Sequence, residues 1–220
     1  MKKNEIAAMI DHTLLKANAT DDQIVKLCGE AKENRFASVC VNPCHVARAA
    51  ELLKGSGIAV CTVIGFPLGA VTTETKVFET KDAIANGADE IDMVANIGWI
   101  RDGLYDKVLD EIKQLRAAAG DKPLKVIIET GVLTDEQKIN MCKVVTEAGA
   151  DYIKTCTGFN VGKATVEDIQ LFKEHIGPNV KIKASSGMTS LEEGEVFLKM
   201  GCDRLGSKLL ANIAKQNGVL

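Results

Sequence analysis

Apolar positions follow two alternating rhythms along the 220-residue chain. Short apolar or two-beat runs rich in Ile, Val and Cys at 10–15, 37–41, 59–64, 90–94, 125–129, 152–155, 181–185 and 204–207 predict strands. Between them, apolar residues recur at three- and four-residue steps over 20–33, 44–54, 73–85, 104–119, 134–148, 165–175, 190–200 and 207–216, which predicts helices. Start signals support this reading: Thr20 precedes Gln23 by three residues, Thr134 precedes Gln137, Thr165 precedes Asp168 and Ser190 precedes Glu193. Eight strands alternating with eight helices, without a Pro- or Ser-rich linker, imply a parallel sheet covered by helices.

Three segments share one pattern: NGADEID at 86–92, AGADYIK at 148–154 and MGCDRLG at 200–206. Each reads as a helix stopping at glycine and a buried strand starting. This repetition, and the absence of GxGxxG between the first strand and helix, favour a closed (β/α)8 TIM barrel, an α/β fold, over an open doubly wound sheet. One domain over 1–220 is expected. The repeat also aligns Asp92, Lys154 and Gly206 as equivalent positions. Side chains alternate along a strand, so Ile91, Met93 and Ile153 should face the helices while Asp92 and Lys154 point into the barrel. Lys183, in the next strand, falls beside Lys154.

Buried ionisable groups are costly unless paired, hydrated or catalytic. Two crowded amines predict that one of them is depressed from the usual lysine value of about 10.4 toward neutrality. A neutral amine can condense with a carbonyl to form a Schiff base, and such a shift raises its abundance by roughly 10³. A plain interior ion pair between Asp92 and Lys154, with Lys183 reaching solvent, is the competing reading. Glycines gather after the last three strands, at Gly158, Gly162, Gly187 and Gly206, with Ser207 beside the last. Backbone N–H groups without side chains cradle anions, and the loops after strands seven and eight form the usual phosphate site of barrel enzymes.

Charge narrows the partners. Lys and Arg number 27 against 30 Asp and Glu, a formal net charge of −3, with no basic cluster of the kind nucleic acids select. The uncharged stretch 55–73 carries four glycines and Pro67, too irregular for a membrane span. IAAMI after the N-terminus is too short for a signal-peptide core, and seven cysteines without a CxxC pair read as reduced thiols, so a cytoplasmic location is expected. His12, His45 and His175 are scattered, which predicts no metal site. Cys40, ending the second strand, is a candidate for alkylation by reactive aldehydes.

The segments IDHTLLKANAT, ASVCVNP, CTVIGFPLG, GADEIDMVAN, KVIIETGVLT, GADYIKTCTGF, KIKAS and DRLGS carry an end-to-end resemblance. The chain resembles the 2-deoxyribose-5-phosphate aldolase family, class I aldolases of the DeoC type. The resemblance implies that Lys154 forms the Schiff base, that Lys183 perturbs its pKa and relays protons, and that Asp92 moves protons through water. It further implies Asp11 as a supporting carboxylate at the first strand's end and Gly158, Gly187, Gly206 and Ser207 as phosphate contacts. No cofactor or metal is implied, and homo-oligomers are common in the family. The chain departs from the family at Ser186, Lys163 and Lys208, where glycine, a small residue and serine are usual. Lys163 and Lys208 are candidates for added charge near the phosphate, or plain surface lysines. A phosphosugar isomerase or decarboxylase without an imine, and a non-catalytic sugar-phosphate binder, remain the competing functions.

Overall fold

The structure, a computed structural model, describes residues 3–207. The predicted helix at 207–216 and Lys208 therefore lie outside the described residues, apart from Ser207. Eight parallel strands close into a barrel in sequence order: β1 (Ile10–Leu14), β2 (Ser38–Val41), β3 (Ala59–Ile64), β4 (Glu90–Val94), β5 (Leu124–Ile127), β6 (Tyr152–Lys154), β7 (Lys181–Ser185) and β8 (Arg204–Ser207). Pairing of β1 with β8 completes the closure, aligning Asp11 with Gly206. Among the described residues, the helices are α1 (Lys3–Ala7), α2 (Asp21–Asn34), α3 (Val46–Leu53), α4 (Thr73–Ala85), α5 (Ile97–Arg101), α6 (Tyr105–Ala119), α7 (Asp135–Glu147), α8 (Val166–His175) and α9 (Leu191–Lys199). None of them is long and apolar enough to cross a membrane.

The start signals work as local chemistry. At α7, Thr134 accepts from the Gln137 N–H at 3.3 Å while Gln137 accepts from the Thr134 N–H at 2.9 Å, closing both orphan donors. At α9 only half of the expected box forms. Ser190 accepts from the Glu193 N–H, but the Glu193 carboxylate turns to the N–H and hydroxyl of Thr189, one residue earlier. The short α1 and α5 and a 3-10 turn at Thr130–Val132 are additions to the predicted set, while the predicted helix at 44–54 begins with a 3-10 turn at Pro43–His45.

Strand alternation separates two interiors. Ile91, Met93, Val126, Ile153, Ile182, Ala184 and Leu205 face outward into the continuous core beneath the helices. Fully burying each large apolar side chain contributes about 1.5–3 kcal/mol. The inner wall is split: on β2 and β3, Cys40, Cys61 and Val63 form an apolar patch with Leu15 and Phe66, whereas β1 contributes the buried Asp11. From β4 to β8 it is charged.

Among the described residues, one fully buried ion pair lies in the outer layer. Lys76 on α4 is fully buried, donating to the Val94 carbonyl at 2.8 Å and to Glu111 on α6 at 2.7 Å. Glu111 also accepts from the Asn96 N–H, so the pair fixes the chain leaving β4. Burial pushes the Lys76 ammonium down and the Glu111 carboxyl up in pKa, the Coulomb attraction opposing both.

Candidate active site

The inner charges form one network. Asp92, the middle residue of β4, holds Lys154 at 2.6 Å and Lys183 at 2.6 Å on Oδ2, and Lys125 at 2.9 Å on Oδ1. Lys154 and Lys183 are paired residues of adjacent strands, as their places in consecutive strands predict. Asp11 pairs with Lys183 and Arg204 and accepts from Ser38 Oγ at 2.7 Å. Its place is near the start of β1, buried in the barrel, and not at the strand's end. Glu90, two residues before Asp92 and so on the same face, bonds Lys125 at 2.7 Å and Arg204 at 2.6 Å.

Four basic side chains (Lys125, Lys154, Lys183, Arg204) thus meet three carboxylates (Asp11, Glu90, Asp92). With all seven ionised, the buried network carries one surplus positive charge. Burial alone would raise the Asp92 carboxyl, but Lys125, Lys154 and Lys183 together hold it well below the usual carboxylate range. Asp11 is likewise held low against burial by Lys183, Arg204 and Lys125.

Lys183 corrects part of the sequence reading. Burial disfavours its charge, yet Asp11 and Asp92 outweigh both burial and the repulsion of Lys125, so its pKa is raised. It is not the depressed amine, and it is fully buried, so it does not reach solvent either. The space it needs comes from Gly206: a Cβ there would stand 3.2 Å from Lys183 Cε and 2.8 Å from Ser185 Oγ.

Lys154 differs in its access. It is 3% exposed, and it lines a cavity of about 260 Å3 at the mouth of the barrel. The same cavity is walled by Gly158, Gly187, Gly206 and Ser207, so all four expected anion contacts converge opposite one amine. The chain therefore brings together a reactive-amine candidate, a carboxylate, a fixed cation and a backbone-rich pocket wall.

A family model for DeoC/LacD family aldolases matches residues 6–205. The deoxyribose-phosphate aldolase of Clostridium botulinum (strain Alaska E43 / Type E3) is 54% identical over 215 residues, covering 98% of this chain and 97% of that protein. The chain belongs to the DeoC/LacD aldolase family. Its backbone also matches a solved structure described as QR15, an aldolase, with TM-score 0.91 and 35% identity, covering 98% of each chain. The deoxyribose phosphate aldolase from Aeropyrum pernix, described as a tetramer, matches with TM-score 0.88 and 26% identity over 99% of this chain and 92% of that one.

Other residues of this family aldolase fall into place around the site. Lys163 packs its stem on Gly187, where a Cβ would stand 2.5 Å from Lys163 Cβ, so it borders the same loop while remaining exposed. Ser186, a residue with Cβ, sits in the left-handed region with φ of 76°. His12 points outward, packs against Phe36 in a tilted arrangement with ring centroids 5.3 Å apart, and pairs with Glu30 at 2.8 Å. Cys40 is buried beside Cys61, its register partner on β3, and Cys61 donates to Asp92 Oδ1 at 3.1 Å. One sulfur or carboxylate atom from each of Cys40, Cys61 and Asp92 falls within 4.8 Å of the other two, a spacing suited to a soft cation. Three ammonium groups already occupy that carboxylate and would repel such an ion, so we read the thiols as part of the hydrogen-bond network.

Lys125, Glu90 and Arg204 were not among the sequence-derived candidates. The signal was present: Glu90 precedes Asp92, and Arg204 precedes Gly206, by the two-residue step that marks one strand face.

Proposed function

We propose that this enzyme is a class I aldolase that cleaves 2-deoxy-D-ribose 5-phosphate to D-glyceraldehyde 3-phosphate and acetaldehyde through a Schiff base on Lys154, and runs the reverse addition. The observation that carries the reading is the convergence of Lys154, held by Asp92, with Gly158, Gly187, Gly206 and Ser207 on one cavity. The reading requires a neutral amine within reach of a carbonyl, and four basic groups share three carboxylates in this network. Lys154 is the member that opens on the cavity, so it is the one a carbonyl substrate can meet.

The neutral amine adds to C1 of the open-chain sugar, and loss of water gives the iminium ion. Its positive nitrogen stands where the ammonium stood, beside Asp92 Oδ2, so the carboxylate that held one cation stabilises the next. A base then takes the proton from the C3 hydroxyl. The C2–C3 electron pair moves into the iminium, C3 becomes the aldehyde of glyceraldehyde 3-phosphate, and an enamine remains on Lys154. Protonation at C2 and hydrolysis release acetaldehyde and restore the amine. Asp92, acting through water, serves the proton transfers. Lys183 stays protonated, holds Asp92 in place and crowds Lys154. Asp11 keeps Lys183 charged. The reaction needs no metal or redox cofactor. This activity belongs to deoxyribonucleotide breakdown, and we place it in the cytoplasm. The tetrameric relative and the exposed Leu68 and Phe78 support a homo-oligomer.

Incubation with acetaldehyde and borohydride tests the mechanism. We expect one reduced ethyl adduct on the Lys154 peptide, absent from Lys154→Leu, together with glyceraldehyde 3-phosphate release by wild type in a coupled assay. A phosphosugar isomerase or decarboxylase would give neither. Product release without any trappable adduct would falsify the Schiff-base assignment.

A further inference from the structure

β5 ends at Ile127, and two residues later Glu129 enters the left-handed region with φ 55° and ψ 64°. A residue bearing Cβ occupies that region only where its surroundings compel it. The Glu129 side chain is fully buried and stands apart from the barrel network. Its Oε2 accepts three bonds from across the barrel rim: the Thr157 N–H at 3.2 Å, the Thr157 hydroxyl at 2.6 Å and Asn160 Nδ2 at 3.1 Å. Its Oε1 is buried without a hydrogen-bond partner. A half-satisfied buried carboxylate is costly, and such a group asks for a reason.

The same turn grips the far end of that loop. A Cβ on Gly131 would stand 2.4 Å from Gly162 Cα, and a Cβ on Gly162 would stand 3.0 Å from Glu129 Oε1. Segment 129–131 therefore clamps the loop after β6 at Thr157 and Asn160 by hydrogen bonds and at Gly162 by backbone contact. Between those points lies Gly158, on the wall of the cavity that Lys154 shares.

We infer that Glu129 is a positioning residue for phosphate recognition: without touching the substrate, it fixes the Thr157–Gly158 backbone that faces the phosphate. This rests on the reading of that cavity wall as the phosphate end of the site. The carboxylate's three acceptor bonds replace contacts the loop cannot make within itself, which accounts for both the strained backbone and the incomplete satisfaction.

The test compares kcat/KM for 2-deoxyribose 5-phosphate with that for unphosphorylated 2-deoxyribose in the full-length enzyme, its Glu129→Ala variant and its Glu129→Gln variant. Glu129→Ala should lower the ratio about tenfold, mostly through KM for the phosphorylated sugar, and weaken inhibition by inorganic phosphate by a similar factor. Glu129→Gln keeps an acceptor oxygen for Thr157 and places its amide NH2 at the unpartnered site, so the ratio should fall by about threefold or less. An unchanged ratio in Glu129→Ala, or an equal loss in Glu129→Gln, overturns the inference. A merely structural role lowers both rates together and leaves the ratio intact, which overturns it too. Should Glu129→Ala not fold, Asn160→Ala removes one donor to Glu129 Oε2 from a side chain that does not line the cavity, and the same fall or constancy of the ratio decides. A wild-type enzyme indifferent to the phosphate refutes the phosphate reading itself, before any variant is compared.

Discussion

Replacing Lys183 by leucine removes the cation that shares Asp92 with Lys154 while keeping the side chain's bulk. Each ammonium nitrogen is 2.6 Å from Asp92 Oδ2, so the two are at most twice that distance apart. At about 5 Å and an effective dielectric constant of about 20, two unit charges repel by about 3 kcal/mol. That corresponds to about two pH units in the ease of forming a neutral amine. The sign follows directly: a neighbouring cation penalises the protonated form, so its loss makes the neutral Lys154 rarer at a given pH. Asp92, relieved of one partner, acts more strongly on Lys154 in the same direction. The acid limb of kcat/KM, followed from about pH 5 to about pH 10 by coupled detection of glyceraldehyde 3-phosphate, should move upward by about one to two units. Removing Lys183 also leaves Asp11 with Arg204 and Ser38, at a stability cost of about 3–5 kcal/mol, so thermal melts must accompany the kinetics. A folded variant with lowered kcat and an unmoved acid limb refutes the crowding argument, leaving Lys183 a proton carrier or a prop for Asp92.

Three further outcomes follow from the fold. Lys76→Met strands the buried Glu111 carboxylate and should lower the free energy of urea unfolding by about 3–5 kcal/mol, an effect absent if the pair is hydrated in solution. Ser186→Gly relieves a left-handed backbone and should raise stability by about 0.5–1 kcal/mol after glycine's extra unfolded freedom, with KM for the phosphorylated sugar unchanged; a drop in melting temperature contradicts this. Iodoacetamide at about pH 8 should modify Cys44, which is exposed, ahead of the other six buried thiols. Burial pushes Cys28 up to about 11 and Cys142 and Cys202 up to about 12, so they should be labelled only after unfolding, as peptide mass mapping can verify.

The barrel was legible because its signals are local and repeated. Glycine stops followed by buried strands recur in one register, and α4 occupies the predicted 73–85 span. The convergence of Asp92, Lys154 and Lys183 was legible for a related reason: strand alternation assigns each side chain a face, and closure brings those faces together. Features shorter than one helical repeat, such as α5 and the 3-10 turn at 130–132, left no periodic trace. The contact between Cys40 and Cys61 depends on two strands lying in register, which a 21-residue separation does not reveal. Glu129 reads as the last residue of an apolar strand, but its backbone turns away to satisfy Thr157 and Asn160, partners 28 and 31 residues further on.

The sign of the Lys183 shift marks where residue-by-residue reading stops. A neighbouring amine argues for depression, and that argument is sound for an isolated pair. Here the outcome depends on a count over all eight strands, because Asp11 from β1 and Asp92 from β4 both reach the same ammonium. With Glu90 the carboxylates number three, and with Lys125 and Arg204 the basic groups number four. The surplus charge belongs to the network, not to either lysine, and access decides which group a substrate can meet. Lys183 is sealed under Gly206 between two carboxylates, Lys125 is sealed at the next layer, and Arg204 is a guanidinium that stays charged. Lys154 alone of the four lines the cavity, so it is the one amine of the network that a carbonyl substrate can reach.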